Sequence, residues 1–268
     1  MLSRPEEQAD NRKEADSALS GACLALELVH KASVLVDDAL DLELERRHRA
    51  TFHHKYGPTP AVLISHTLVS SAFQVAPPSL DLAGIYADMC WAELADLGGI
   101  SLAQSAWHTY KELVLPKTSS MFATIFQYAS RRLGRYGCGF DAAGLGNDFG
   151  NLFQISNDYF DYLISDPYHR RFGATARVTL DLWLACAIDE DEAVRQEFRG
   201  KVGECIPSSD FGNLLAWIGS RNVARLAEQR VAEAYDIATR RIASAPKSWQ
   251  SILLAFAGWL RLPTAWTA

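Results

Sequence analysis

The chain has 268 residues, of which 49% are hydrophobic, and its formal net charge at pH 7 is −6. That much apolar material is enough for one substantial core. Because the lysines and arginines form no basic block, the composition argues against a nucleic-acid-binding protein. No run reaches the ~18 uncharged apolar residues of a membrane span, and the polar N-terminus is no signal peptide. The five scattered cysteines predict reduced thiols and a cytoplasmic location.

Apolar residues recur with helical spacing along the whole chain, and no segment shows the period-two pattern of a strand. Glycines and prolines separate the periodic segments, as at Gly57-Pro58 and Pro77-Pro78. The pattern predicts one all-α domain over residues 1–268, a helical bundle with a central active-site cavity. The predicted helices are 10–42, 60–73, 79–97, 103–134, 141–164, 174–187, 191–202, 211–244 and 248–260.

The first predicted helix ends in a cluster of aspartates, Asp37, Asp38 and Asp41. Residues three and four apart share one helix face, and crowded carboxylates repel one another unless cations lie between them. Oxygen ligands suit Mg²⁺, which bridges to substrate phosphates. The alternative interpretation is a solvated acidic helix face. The cluster closes a largely apolar run, however, and this favours a core-facing helix that delivers charge into a cavity.

A second acidic cluster, Asn157, Asp158 and Asp161, closes the apolar run 152–156 far away in the sequence. Its members also share one helix face. Two such faces turned towards each other would bind a diphosphate through shared metal ions.

Four motifs, in order, resemble those of the trans-isoprenyl diphosphate synthases, the polyprenyl synthetase family. The first aspartate cluster is followed by Arg46-Arg47 and a stretch ending in Thr51. Residues 117–122 are similar to the Lys-Thr-x-x-x-Phe helix start of the family, and residues 153–161 to its second aspartate-rich motif. Residues 177–180 stand where the family has Lys-x-Thr-Leu. The resemblance covers residues 22–187 and implies the isoprenoid-synthase fold and a class I prenyltransferase.

The resemblance also implies roles for individual residues. The acidic residues would hold Mg²⁺, as three ions together with the bound diphosphate: Asp37, Asp38, Asp41, Asn157, Asp158 and Asp161. The implied catalytic residues are Lys117, Thr118, Gln154 and Arg177. Arg46 and Lys117 would hold the allylic diphosphate, and His30 and Arg47 that of isopentenyl diphosphate. Ala32 and Ser33, small residues just before the first motif, would leave room for a farnesyl or longer chain.

Each of these residues also has a plain structural interpretation. Arg46 and Arg47 could form surface ion pairs, which contribute little. His30 could be a hydrogen-bonded core residue. Lys117 and Thr118 could simply form the first helical turn after a proline, and a buried glutamine could bond to a neighbouring helix.

The sequence departs from the family pattern in three places. The N-terminal Gly-Lys-x-Arg clamp for isopentenyl diphosphate is short or missing. Asn157 replaces the leading aspartate of the second motif, which removes one charge from that wall. The loop after that motif is shortened to residues 165–173, where Arg170 and Arg171 could replace the lysine of the family.

These departures leave the acceptor open. The resemblance implies either a chain-elongating synthase that uses isopentenyl diphosphate or a prenyltransferase with another acceptor. A terpene cyclase on a synthase scaffold and a non-catalytic synthase subunit are the alternatives. The resemblance also implies a homodimer.

Overall fold

The computed structural model describes residues 5–46, 48–97, 105–133, 140–163, 170–172, 174–198, 200–207, 210 and 222–261. Side chains are described within these ranges except at 5–15, 132–133, 161–163, 170–172 and 176. Helices account for most of this part of the chain, as predicted. They are α1 (Pro5–Leu40), α2 (Phe52–Tyr56), α3 (Pro58–Val75), α4 (Leu82–Leu97), α5 (Ala106–Thr109), α6 (Pro116–Leu133), α7 (Ala142–Leu163), α8 (Leu182–Glu190), α9 (Glu192–Phe198), α10 (Val223–Ile242) and α11 (Lys247–Arg261).

The larger hydrophobic core lies where α7 packs against α6, α8 and α10. Helices α6 and α7 approach closely because α7 presents glycines to its neighbour. A Cβ atom at Gly146 would lie 2.4 Å from the Phe122 carbonyl oxygen, and one at Gly150 would lie 2.6 Å from Ser119 Cα. Any larger residue would force the two helices apart. This contact brings the N-terminal turns of α6 next to the second acidic motif on α7.

A second, smaller core joins α1, α3 and α4. Alanines and a valine line the buried face of α1, and Ser65 of α3 donates a hydrogen bond to the Ala32 carbonyl over 3.1 Å. Helix α6 takes part in both cores, since Phe122 and Phe126 pack against the larger one and Met121 and Tyr128 belong to the smaller one. Helix α6 therefore connects the larger and the smaller hydrophobic core.

Within the described residues, five short strands accompany the helices, although no period-two pattern marks them in the sequence. They are β1 (Glu43–Arg46), β2 (Arg49–Ala50), β3 (Arg170–Phe172), β4 (Thr175–Arg177) and β5 (Cys205–Pro207). All pairings are antiparallel, in the order β2-β1-β3 and, separately, β4-β5. The longest has four residues, which is too short for a period-two pattern to stand out in the sequence.

The helix predicted over residues 174–187 is wrong in its first half. Residues 175–177 form β4, and α8 begins only after Asp181, whose side chain accepts a hydrogen bond from Leu184 N over 2.8 Å. Strand β4 pairs with β5, nearly thirty residues later in the chain. Such a non-local pairing overrides local helical propensity and cannot be read from local periodicity.

The helix predicted over residues 103–134 is interrupted. Between α5 and α6, residues Tyr110–Val114 form a π-helical turn, and Leu115 N donates to the Tyr110 carbonyl five residues earlier. Pro116 follows directly, lacks an N–H group, and takes the first position of α6. The 211–221 part of the predicted helix 211–244 lies outside the described residues.

Within the described residues, one segment is long and apolar enough to cross a membrane by length and composition alone, Asp16–Leu40 of α1, with a mean hydropathy of 1.5. The segment is not the uncharged apolar run considered in the sequence analysis, since it contains Glu27 and Lys31. It is weak evidence for a span, because core helices also meet the same criteria. The C-terminal end of this segment contains Asp37 and Asp38 of the first aspartate cluster, and these are charged residues.

Candidate active site

The first acidic motif lies where α1 ends and the chain turns back on itself. Helix α1 stops at Leu40, and Leu42 adopts a left-handed conformation with φ 62°. This conformation ends a helix but is uncommon for a large side chain, so the turn is strained. The reversal sends the chain into β1 and returns Arg46 to the aspartates of the motif.

Within the described part of the chain, Arg46 contacts three carboxylates. Its Nε lies 2.5 Å from Asp38 Oδ1, and its Nη2 lies 3.1 Å from Asp37 Oδ2 and 3.3 Å from Glu43 Oε2. Asp38 and Glu43 are buried, with exposures of 5% and 0%. The interpretation of Arg46 as a surface ion pair is therefore wrong, because a surface pair would leave its partners in solvent.

Lys117, at the start of α6, faces the same motif from the opposite side. Its Nζ lies 3.7 Å from Asp37 Oδ1 and 3.8 Å from Glu93 Oε2 on α4. Burial acts to lower the pKa of Lys117, but the nearby carboxylates outweigh it and raise the pKa far above its usual value. The ammonium group therefore stays charged throughout the physiological range.

Two acids of this site, Glu93 and Asp96, were missed by the sequence analysis. They lie one turn apart on α4, and burial raises the pKa of each, while Lys117 lowers it. Asp96 is 5% exposed, and its Oδ1 has no hydrogen-bond partner among the described residues. The available signal was an acidic pair at helical spacing that closes an apolar run, the same signal that identified the two aspartate motifs.

The second acidic motif is joined to α6 by hydrogen bonds. Thr118 Oγ1 donates to Gln154 Oε1 over 2.7 Å, and Gln154 Nε2 donates to Asp158 Oδ1 over 2.7 Å. Asp158 is buried and also accepts from Tyr110 Oη over 2.6 Å and from Leu182 N over 3.3 Å. Because Lys117 and Thr118 are adjacent, α6 brings the two motifs into one site.

Arg177 has two backbone partners in the structure. Its Nε donates to the Leu40 carbonyl over 2.7 Å, and its Nη1 donates to the Gly203 carbonyl. A cation bonded to the last carbonyls of a helix stabilises its C-terminus. These contacts make Arg177 a clamp on the end of α1, and its predicted contact with the diphosphate stays a prediction.

The remaining predicted residues fall into three groups. His30 and Ser33 are partly exposed and lie two turns and one turn, respectively, before Asp37 on the same face of α1, whereas Ala32 is fully buried against α3. Asn157 is half-buried beside Asp158, and Asp41 is 8% exposed. Arg47 and the side chains of Asp161, Arg170 and Arg171 lie outside the described residues.

The burial of Asp38 predicts a pH-dependent stability. Burial is the largest influence and raises the pKa of Asp38 from 3.8 to about 6, although Arg46 opposes the rise. Between these values the folded protein binds more protons than the unfolded chain, so stability falls as pH rises. The Asp38→Asn variant cannot ionise. Relative to wild type, we expect its free energy of unfolding to increase by about 2 kcal/mol from pH 4 to pH 7.5.

Urea unfolding of both proteins without Mg²⁺, at several pH values, measures this difference. Asp236→Asn, at an exposed position of α10, is the matched control and should show no such trend. A difference between wild type and Asp38→Asn that stays constant with pH would contradict the buried charge.

Comparison with known proteins identifies the family of the chain. The family model of polyprenyl synthetase matches residues 6–172, more than half of the chain. The chain belongs to the polyprenyl synthetase family. The resemblance read from the motifs is thereby confirmed, although the matched range ends before Arg177.

Curated relatives show how much of this chain, and how much of each relative, is matched. Geranylfarnesyl diphosphate synthase of Methanosarcina mazei is 29% identical over 155 residues, which are 53% of this chain and 50% of that protein. The chain thus spans about half the length of the curated relatives it matches.

In fold, the protein is similar to a decaprenyl diphosphate synthase of Rhodobacter capsulatus, with a TM-score of 0.72, 19% identity and coverage of 93% of this chain and 85% of that one. It is also similar to a polyprenyl synthase of Caulobacter crescentus, solved with calcium and isoprenyl diphosphate (TM-score 0.70, 21% identity, 90% of this chain and 77% of that one). The predicted isoprenoid-synthase bundle is confirmed, and it extends beyond the range in which sequence motifs are recognisable.

Proposed function

We propose that this member of the family is a Mg²⁺-dependent trans-prenyltransferase. It ionises an allylic diphosphate of farnesyl length or longer and transfers the prenyl group to isopentenyl diphosphate or another acceptor. One observation carries the proposal: Lys117 contacts Asp37 of the first motif, while its neighbour Thr118 bonds to Gln154 of the second. Two acidic helices linked by a partly buried cation form a site suited to a diphosphate and its counterions.

The residues present fit Mg²⁺. The described carboxylates around Arg46 and Lys117 are Asp37, Asp38, Asp41, Glu43, Glu93 and Asp96. They outnumber these two cations, so the site has an excess of negative charge and of hard oxygen donors. Among the described residues no three ligating side chains converge as a preformed metal cage. Mg²⁺ does not require one, because it is usually held by one or two carboxylates, waters and substrate phosphates.

The protein groups divide the remaining work. Bound Mg²⁺ would supply Lewis acidity towards the leaving diphosphate, with Asp37, Asp38 and Asp41 as its ligands. Arg46 and Lys117 would bind the diphosphate oxygens and stabilise the charge that develops on them. The oxygen atoms of Thr118 and Gln154 would lie near the cationic end of the prenyl group.

Product analysis tests the proposal. Purified protein and Mg²⁺ are incubated with farnesyl or geranylgeranyl diphosphate, with and without isopentenyl diphosphate, and both phases are extracted. We expect diphosphate release and, with isopentenyl diphosphate, a longer prenyl diphosphate. A hydrocarbon or alcohol formed without isopentenyl diphosphate would instead identify a cyclase. No diphosphate release under any condition would contradict the proposal and favour a non-catalytic subunit.

Ser33 is the better of the two predicted chain-length positions. It lies one turn before Asp37 on the same face, whereas Ala32 packs against α3. If isopentenyl diphosphate is the acceptor, Ser33→Phe should block the path of the growing chain and shorten the longest product by at least one isoprene unit, as read by mass spectrometry of the dephosphorylated products. Ala32→Phe should instead overpack the α1–α3 contact and lower stability by ~1–3 kcal/mol. Unchanged products from Ser33→Phe would place the chain elsewhere.

We also propose the homodimer that the family resemblance implies. Large apolar side chains are exposed on α3 and α4, with Leu63 of α3 at 60%, Trp91 of α4 at 71% and Leu94 of α4 at 54%. Because exposed apolar patches mark association sites, we assign these side chains to the proposed interface. Sedimentation equilibrium of the purified protein measures the mass of the assembly directly.

A further inference from the structure

A continuous series of hydrogen bonds, called the relay below, runs from Tyr110 in the π-helical turn to Thr118 at the start of α6. Tyr110 Oη donates to Asp158 Oδ2 over 2.6 Å, and Gln154 Nε2 donates to Asp158 Oδ1 over 2.7 Å. Gln154 Oε1 in turn accepts from Thr118 Oγ1 over 2.7 Å. The relay thus connects Tyr110, a buried residue that belongs to none of the motifs, to Gln154 and Thr118, which are predicted to be catalytic.

The donor and acceptor of every hydrogen bond in the relay follow from the chemistry of the groups. An ionised carboxylate has no proton to donate, so the amide nitrogen of Gln154 must face Asp158. The amide oxygen of Gln154 then faces Thr118, and the threonine hydroxyl must donate its proton to it. The remaining lone pairs of the Thr118 oxygen can therefore only accept, and an acceptor is what a developing cation requires.

Tyr110 is held rigidly enough to set this arrangement. It is fully buried, its ring stacks on Trp107 with centroids 5.5 Å apart, and the guanidinium of Arg230 lies 4.6 Å from the Trp107 ring. Burial and the charge of Asp158 raise the pKa of Tyr110 well above its usual value of 10. The phenol thus keeps its proton and remains a donor.

We propose that Tyr110 is a positioning residue of the active site: it fixes the Asp158 carboxylate, which orients the Gln154 amide and turns the acceptor lone pairs of Thr118 towards the substrate. This inference rests on the proposed function. It also changes the expected role of Asp158. Among the described residues, Tyr110, Gln154 and Leu182 donate hydrogen bonds to its two oxygens, so Asp158 organises the wall rather than binding Mg²⁺.

Tyr110→Phe tests the positioning role, because it removes the hydroxyl and keeps the ring. We expect kcat for diphosphate release to fall about 10- to 100-fold, because a misplaced Thr118 oxygen stabilises the developing cation less well. KM for the allylic diphosphate and the Mg²⁺ concentration for half-maximal rate should change less than about twofold, since no substrate or metal contact is lost.

The chain offers a matched control in Tyr159, also buried, whose hydroxyl donates to Glu228 Oε1 over 3.0 Å. Tyr159→Phe loses a comparable bond to a carboxylate outside the relay. Unfolding curves of both variants correct the rates for the folded fraction. If kcat of Tyr110→Phe falls no further than that of Tyr159→Phe, the hydroxyl has only a structural role and the proposal is wrong.

Calorimetry with Mg²⁺ and inorganic diphosphate tests the role of Asp158 without turnover. Asp158→Asn should keep the wild-type affinity, whereas Asp37→Asn should lose at least about tenfold. Equal losses in both variants would make Asp158 a metal ligand and overturn the inference. If wild type binds diphosphate but converts no allylic substrate, the proposed function fails, and the catalytic role of the relay fails with it. If the enzyme is active, but the two tyrosine variants lose equal kcat and the two aspartate variants lose equal affinity, only the present inference is contradicted and the proposed function stands.

Discussion

Asp37→Asn is expected to lower kcat/KM for the allylic diphosphate by about 10³-fold or more. Asp37 lies between the two cations of the site, 3.1 Å from Arg46 Nη2 and 3.7 Å from Lys117 Nζ. The substitution keeps the size of the side chain and removes its charge, so it weakens Mg²⁺ binding and the placement of both cations. Initial rates of diphosphate release across a Mg²⁺ titration measure the effect.

The stability of Asp37→Asn should remain within about 1 kcal/mol of wild type, because Asp37 is partly exposed. Asp236→Asn, on the exposed face of α10, serves again as the control and should keep full activity. A rate within tenfold of wild type, with an unchanged requirement for Mg²⁺, would show that the first motif does not hold the metal.

Lys117→Met is expected to lower kcat/KM for the allylic diphosphate by about 10²- to 10³-fold, the effect of removing one preorganised charge-stabilising group. It should also destabilise the protein by ~1–3 kcal/mol, because it leaves the partly buried carboxylates of Asp37 and Glu93 without their cation. Lys111→Met, at an exposed position of the π-helical turn, is the matched control. Single-turnover rates and urea unfolding measure the two effects separately.

The double variant Lys117→Met/Glu93→Gln separates catalysis from folding. Neutralising Glu93 removes one of the carboxylates that face Lys117, so part of the lost stability should return through coupling between the two sites. The catalytic rate should stay low. If the rate returns together with the stability, Lys117 acts only as a structural counterion.

Local sequence signals were sufficient for most of the helices. Pro58 and Pro77-Pro78 bound α3, and Gly200, with φ 79°, follows the end of α9. The error at residues 174–181 has a different origin, since β4 exists only because β5 lies beside it. The π-helical turn was equally invisible, because a run of apolar residues before Pro116 is compatible with an ordinary helix.

The site was predictable where its residues belong to one segment. The first motif and Arg46 are close in sequence, and their contact was foreseeable from the order of motifs. Tyr110 lies 48 residues from Asp158, and Arg177 lies 137 residues from Leu40. Pairings over such distances depend on how helices pack, which local pattern does not encode. For this reason the backbone partners of Arg177 and the hydroxyl partner of Asp158 could only come from the structure.

The π-helical turn at Tyr110–Val114 sets how far the side chains of α6 are rotated about the helix axis relative to those of α5. It inserts one residue relative to regular α-helical winding, and one residue corresponds to a rotation of roughly 100° about the helix axis. Tyr110 faces Asp158 and Lys117 faces Asp37 only with that insertion in place. A helical projection that assumes uninterrupted α-helical winding through this stretch would therefore place both side chains on the wrong faces.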